Sequence, residues 1–432
     1  MDANRKTAYY ALMDVESKKA YSNIALNHQI ICGRPSSPSF VRELVYGVLE
    51  HKMLLDYIIN HFVKTGTAKM KINDLIVLRM GIYQLGYMDS VPEYAAVNES
   101  VALAKKFCRG REGFINGVLR SYIRDKFSVK LPDRAEDEIE FLSIKYSCAR
   151  WIVELWVDQY GAEEAEEILK ASIGNPGLCI RVNTLKTGKA DLANRLRDKG
   201  FEVEDSKVAH HALRVTKGSN LVNDKLHKLG LFSIQDESSI KTVEILNPQP
   251  GDVVIDVCAA PGGKTLAAAE MMSNRGNIVS TDIYLRKLSI VNKEAERLGV
   301  SIVRTWPWDA TKIDSDLLEK ADKVIADVPC SGLGVVRRKP EIKYKKNMNE
   351  FDSLPRKQFE ILTVASKYVK KGGVLQYSTC TINKNENENI VREFLRKNKE
   401  FSIVEEKQFL PHVDGTDGFY VCKMVRSEDL LV

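Results

Sequence analysis

The sequence contains no CxxC pair: its eight cysteines lie at least 31 positions apart, and of seven histidines only His210 and His211 are neighbours. Structural zinc sites need ligands at short spacing, so no metal is expected. There is no run of 18 consecutive apolar residues, which excludes a membrane-spanning helix. The opening MDANRKTAYYALMDVESKK has no apolar core and carries acids, so neither secretion nor organelle import is indicated and the expected location is cytoplasmic. The thiols are then reduced, most as small buried apolar residues. Internal repeats and low-complexity tracts are missing, and 44% apolar with 28% charged residues argues against disorder and collagen-like chains. Charge is not one-sided either. The 64 basic and 58 acidic residues leave +6, a mild lean toward a polyanion that does not establish one.

What is present is length and order. A chain of 432 residues exceeds one compact core, so two or three domains are expected. Residues 1–130 read as all-helical: in 71–88, Ile72, Leu75, Ile76, Ile82, Tyr83 and Leu85 recur at helical spacing, and 98–107 and 114–127 repeat the habit. Lys105, Lys106, Arg109, Arg111, Arg120, Arg124 and Lys126 dot these helices. Alone they are a solvated face; their clustering admits an anionic partner. Residues 131–174 form a linker and helices, including one helix over about 141–160. Residues 175–238 alternate strand and helix as a small α/β subdomain. From 239 to 432 regular alternation (VVIDV, NIVSTDI, IVRTW, KVIADV, VLQYSTC) implies a parallel sheet, with FSIVEE and GFYVCKMV as an edge hairpin.

Residues 253–257 form a strand ending near Asp256, followed by CAAPGGKT and a helix. That order builds a nucleotide crevice. It is not a Walker loop, because Cys258 stands where the first glycine is required, and GxGxxG fails too. Pro261 removes a backbone donor where phosphates would need one. A cofactor without phosphates fits better. Asp282 ends the next strand, where an acid accepts from ribose hydroxyls, and Asp309 ends the third, in reach of an adenine amino group. S-adenosylmethionine has ribose, adenine and a sulfonium that suits several acids.

Cys330 follows the fourth strand in DVPCSG, and Cys380 follows the fifth in STCT. Ligands of open α/β sheets bind beyond the carboxyl ends of strands, so both thiols face the crevice. A thiolate adding to carbon-6 of a pyrimidine makes carbon-5 nucleophilic toward a sulfonium methyl; a base then takes the carbon-5 proton and the thiol leaves. Asp327 is placed to hydrogen-bond the pyrimidine edge. Which thiol attacks is left open by this chemistry.

These segments resemble the signature motifs of the RNA 5-methylcytosine methyltransferases: DVCAAPGGKT, DVPCSGLG with RRKPEI, and YSTCTINKNENE, joined by QDESS and TDGFY. Upstream, YAAVNESVALAKKF and FINGVLR resemble the helical NusB-type RNA-binding domain. The combination is similar to the bacterial 16S ribosomal RNA cytosine-5 methyltransferases of the Sun/Fmu type, over essentially the whole chain. The resemblance implies a Rossmann-like class I methyltransferase domain preceded by a small RNA-recognition-like α/β subdomain and an all-α NusB-like domain. It makes Cys380 the nucleophile and Cys330 the thiol that aids product release. It assigns cofactor contacts to Cys258, Ala259, Ala260, Pro261, Gly262, Gly263, Lys264, Asp282, Asp309 and Asp327, with no metal. Tyr344 stands where tryptophan is commoner, and Lys384 where proline is usual.

The run 337–346 holds six basic residues and one acid beside the Cys330 loop, so Arg337, Arg338, Lys339 and Lys343 are expected to hold RNA phosphates. Arg181 and Asn183 are candidate contacts on the small subdomain, although its strands show no clear pair of exposed aromatics. The implied partner is 16S rRNA or a small-subunit precursor, met by a monomer, with the target base out of its stack. Transfer RNA or 23S rRNA is the nearest alternative substrate. A non-catalytic assembly factor is opposed by the intact thiols and cofactor loop. An amino-methylating enzyme would carry an NPPY-like tetrapeptide where DVPC stands.

Overall fold

The computed structural model describes residues 1–174, 176–218, 221–344, 351 and 353–428. They form two compact units: residues 1–175 with 336–346, and residues 176–335 with 347–432.

The first unit is helical. Its centre is the helix Ile72–Tyr87, apolar on every side and buried from Asp74 to Gln84. A helix of that pattern must be surrounded, and Pro38–Glu50, Lys52–Phe62, Glu93–Phe107 and Glu112–Asp125 supply Leu44, Leu49, Ile59, Leu103, Ile115 and Leu119 to its core. The charge of Arg79 inside this core is matched by Asp56 at 2.7 Å and Glu16 at 3.2 Å.

The single helix expected over 141–160 is two helices, Glu138–Lys145 and Arg150–Tyr160. The break has a partner far along the chain. Lys343 is 0% exposed, and its ammonium donates to the Tyr146 carbonyl at 3.2 Å and the Glu50 carbonyl at 3.0 Å, while its own carbonyl accepts from Ala149 N at 2.9 Å. The Tyr344 hydroxyl donates toward the Leu49 and Glu50 carbonyls. Carbonyls in the last turn of Pro38–Glu50 have no partner within the helix, so a buried cation and a hydroxyl complete that end. Burial pushes the Lys343 ammonium down from its ordinary value. Lys343 is therefore a capping residue of the helical unit, and its expected role toward RNA phosphates is corrected.

The second unit has two sheets. β1 (Leu178–Val182), β2 (Glu202–Asp205), β3 (Ala212–Lys217) and β4 (Phe232–Ile234) form an antiparallel sheet in the order β2-β3-β1-β4, with helices Lys189–Arg197 and Lys225–Lys228 completing a ferredoxin-like βαββαβ unit. One face of β1 meets the helix Lys189–Arg197 through Ile180 and Val182. The other face, which an RNA-recognition fold offers to RNA, is covered by protein. Cys179 packs on Ile240, and Arg181 pairs with Glu270 at 2.8 Å and donates to the Gly263 carbonyl at 2.8 Å. Arg181 is 2% exposed, and Asn183 is buried donating to the Gly230 and Leu298 carbonyls. Neither is presented to RNA, which corrects both expectations.

The larger sheet comprises β5 (Val253–Asp256), β6 (Asn277–Asp282), β7 (Val303–Pro307), β8 (Ala321–Asp327), β9 (Val369–Thr379), β10 (Phe401–Phe409) and β11 (Phe419–Arg426), in the order β10-β11-β9-β8-β5-β6-β7. β5 to β9 are parallel, and β11 is antiparallel to β9 and β10. Val254, Ile278, Leu266 and Ala268 fill one side, and Val324, Leu375, Tyr377 and Phe394 the other, giving the Rossmann-like methyltransferase fold. The strand order reverses between β5 and β8, which opens a crevice at their carboxyl ends. Among the described residues no helix is long and apolar enough to cross a membrane.

The buried ion pair yields a test. Arg181→Ala leaves Glu270 uncompensated and is expected to cost about 3–5 kcal/mol. The thermal midpoint should fall by several degrees, and Arg181→Met with Glu270→Met should recover much of the loss. A midpoint unchanged in Arg181→Ala would refute this account of the pair.

Candidate functional site

The crevice is built from strand ends. β5 stops at Asp256, whose Oδ2 accepts from Thr265 Oγ1 at 2.6 Å and whose Oδ1 accepts from Cys258 N at 3.3 Å. This carboxylate faces its own loop. Burial raises its pKa to about 7. The turn closes through Gly262 at φ +105°, a conformation suited to glycine, and the helix Gly263–Met271 starts there. Ala259 N donates to Thr281 O at 2.9 Å, which fixes the loop 258–264 against β6.

Asp282 ends β6, half-buried, with Oδ1 accepting from Tyr284 N at 3.0 Å. Asp309 does not end its strand: β7 stops at Pro307. It lies in the turn beyond, where Thr311 N and Oγ1 donate to its Oδ1 at 3.0 and 2.7 Å and hold the carboxyl below its usual range. The Cys258 thiol is pushed up by burial and by the carboxylates of Asp256, Asp327 and Asp282. A thiol so placed stays protonated, and its neighbours mark this pocket as electronegative.

Asp327 ends β8 and is held on both oxygens: Lys264 Nζ donates at 2.7 Å and Ser378 Oγ at 2.8 Å. The Lys264 ammonium also lies 4.7 Å from the centre of the Phe419 ring. Beyond Asp327, the Cys330 and Cys380 sulfurs approach to 3.1 Å. The bond to Cys380 and burial push the Cys330 thiol up.

Three segments meet where the sulfurs lie: the loops after β8 and β9 and the turn before β11. Gly334 N donates to Cys380 O at 3.1 Å, and Gly418 N to Gly334 O at 2.8 Å. A Cβ on Gly334 would meet Gly418 O at 1.9 Å, and one on Gly418 would meet Gly334 Cα at 2.8 Å, so the crossing requires glycine on both sides. Ser331 Oγ and Thr381 Oγ1 bond at 2.8 Å, joining the residues that follow the two thiols. Gly418 lies in TDGFY, a segment recognisable as a motif, but its role in the crossing was not legible from the sequence.

The basic run has divided fates. Arg337 and Arg338 are half-buried, the Lys339 ammonium sits 5.3 Å from the Tyr21 ring centre, and Lys343 caps a helix. Lys345 and Lys346 lie outside the described residues. Among the described residues no cluster of three or more His, Cys, Asp or Glu side chains is arranged to hold a metal ion.

The raised Asp256 pKa sets a sign. The unfolded carboxyl loses its proton near 3.8 and the folded one near 7, so this group's contribution to stability declines as pH rises between them and is flat above. Asp256→Asn removes that slope. Wild-type stability relative to Asp256→Asn, measured by urea unfolding, should fall from pH 4 to pH 7; a constant difference would refute the assignment.

Comparison with known proteins agrees with this architecture. Residues 243–425 match the family described as 16S rRNA methyltransferase RsmB/F, residues 2–124 the NusB family, and residues 148–221 an RsmF/B-like ferredoxin-like domain. A probable ribosomal RNA small subunit methyltransferase B from Bacillus subtilis is 37% identical over 97% of this chain and 98% of its own. One from Synechocystis is 31% identical over 99% and 100%. A methyltransferase homolog protein from Pyrococcus horikoshii, solved by crystallography, superposes with a TM-score of 0.61 at 26% identity, covering 67% of this chain and 99% of that one. With the relatives matching over nearly their full length, the chain belongs to the family of S-adenosylmethionine-dependent small-subunit ribosomal RNA methyltransferases, with a NusB-like domain ahead of the catalytic one.

Proposed function

We propose that the protein methylates carbon-5 of a cytosine in 16S ribosomal RNA through a covalent adduct with Cys380. The observation that carries this reading is the pair of thiols, 3.1 Å apart, at the ends of two adjacent parallel strands beside the cofactor loop. Amino methylation has no use for two such thiols, whereas carbon-5 chemistry needs a nucleophile and a route for release.

The residues fit the cofactor. Asp282, half-buried at the end of β6, is proposed to accept from ribose hydroxyls, and Asp309, in the turn after β7, to serve the adenine side. Loop 258–264 lets backbone approach without offering a phosphate cradle, and the electronegative surroundings of Cys258 suit a sulfonium. When bound, S-adenosylmethionine supplies the methyl group. The chain's own residues do the rest. Asp327, held by Lys264, meets the edge of a base turned out of its stack. Cys380 Sγ adds to carbon-6, and the electron pair displaced to carbon-5 takes the methyl. Loss of the carbon-5 proton to a base then lets the Cys380–carbon-6 bond break and restores the ring. Cys330, adjacent to Cys380, is the group we assign to that release, its sulfur taking the carbon-5 proton as a thiolate. Arg337, Arg338 and Lys339 are proposed to meet RNA phosphates, which would add affinity without sequence choice.

Cys380→Ala is expected to lower methyl transfer by more than about a thousandfold and to form no adduct. Cys330→Ala should retain covalent RNA, visible as a shifted band in denaturing gels. An adduct in the first variant and none in the second would reverse the assignment. For the substrate, bisulfite sequencing of ribosomal RNA from cells lacking the protein should lose one 16S signal; an unchanged 16S pattern would sink that part.

A further inference from the structure

Glu386 is 0% exposed, and the mechanism above gives it no part. Its carboxylate gathers three segments. Oε2 accepts from Ser331 N, the peptide that follows Cys330, at 2.8 Å, and from Gln358 Nε2 at 2.9 Å; Oε1 accepts from Asn383 Nδ2 at 3.0 Å. The same Gln358 nitrogen donates to the Pro329 carbonyl at 2.9 Å, so the peptides on both sides of Cys330 are tied to this one group. The next residue serves the other thiol. Asn387 Oδ1 accepts from Thr379 Oγ1 at 2.5 Å, and its Nδ2 donates to Thr381 O at 3.0 Å, bracketing Cys380.

We infer that Glu386 is a positioning residue that sets the Cys330 loop against the Cys380 loop, with Asn387 as the fixed reference on the Cys380 side. Only a carboxylate satisfies the arrangement. Donors reach both oxygens, so a glutamine in either orientation would turn its NH2 toward a donor. Asn383 cannot simply flip to compensate, since its Oδ1 already accepts from Asn385 N at 3.1 Å. A buried carboxylate held by three N–H donors is stiff, and stiffness is what a two-thiol reaction needs, because small misplacements of reacting groups cost rate steeply.

The inference rests on the reading that Cys380 attacks and Cys330 assists release, and the test separates the two. Glu386→Gln is compared with wild type and Cys330→Ala in two assays on the full-length protein. The first, without RNA, follows diamide-driven closure of a Cys330–Cys380 disulfide by peptide mapping. The second follows turnover and covalent adduct with 16S rRNA and S-adenosylmethionine. Glu386→Gln should close the disulfide about fivefold more slowly. It should lose about tenfold or more in kcat, with KM within about twofold, and accumulate adduct as Cys330→Ala does. Wild-type disulfide closure with wild-type adduct release overturns the inference. So does an equal loss of adduct formation and release. If Glu386→Gln does not fold, Gln358→Leu, which removes one donor and keeps the carboxylate, carries the same expectation at smaller size. If Cys330→Ala traps no adduct, the catalytic reading fails, while the disulfide rates alone still decide whether Glu386 positions the thiols.

Discussion

The arrangement of the crevice depends on two loops passing within backbone contact of one another. β8 and β9 are parallel neighbours, so the chain leaves both at the same edge and the loops carrying Cys330 and Cys380 must share that space. They meet at Gly334, whose N donates to Cys380 O and whose Cα lies against Gly418 in the turn before β11, where any side chain would strike the opposing backbone. Once the backbones cross there, Gly334 N and Cys380 O are joined, and the sulfurs fall within 3.1 Å. Proximity of the thiols is therefore a property of the crossing, not of the cysteines' own conformations.

Such a crossing buries peptide groups that the sheet cannot satisfy, and the polar residues around it answer that need. Ser331 N goes to Glu386, Pro329 O to Gln358, and Thr381 O to Asn387. The same logic holds elsewhere in this unit. Asp327 is divided between Lys264 and Ser378, and Asp256 is turned to Thr265 and Cys258 N. Asp282, half-buried at the end of β6, accepts from Tyr284 N. The acids that looked equivalent in the sequence thus separate into one that braces a loop, one that pairs with a lysine and two that accept from the turn residues following them.

What the sequence made legible was local or periodic. The alternation of strands and helices, the switch at β5, the strand-end positions of Asp282 and Asp327 and the two thiol loops all follow from short patterns whose meaning does not depend on a distant partner. Asp309 was placed two residues too early because β7 stops at Pro307. The misreadings are of another kind. Arg181 meets Glu270 across 89 positions, and Lys343 meets Glu50 across 293. A basic residue in a strand or loop looks alike in sequence whether it faces RNA or fills a carbonyl-lined pocket. Only the fold supplies the acid or the helix end that buries it. Glu386 belongs with these, since nothing in NKNENE tells a surface acid from a buried brace.

Burial of Lys343 also changes how the charge of this chain should be weighed. A lysine with its ammonium on two carbonyls contributes nothing to an RNA-facing field, and Arg79 and Arg181 are withdrawn in the same way by carboxylates. The basic excess of +6 is therefore no measure of the RNA surface. What the run after Cys330 gains from Lys343 and Tyr344 is an anchor. Within the helical unit, Lys343 and Tyr344 fix this run to the end of the helix Pro38–Glu50. Such anchoring is set by the helical unit's own carbonyls, so the charge of Lys343 answers a helix end and not a polyanion.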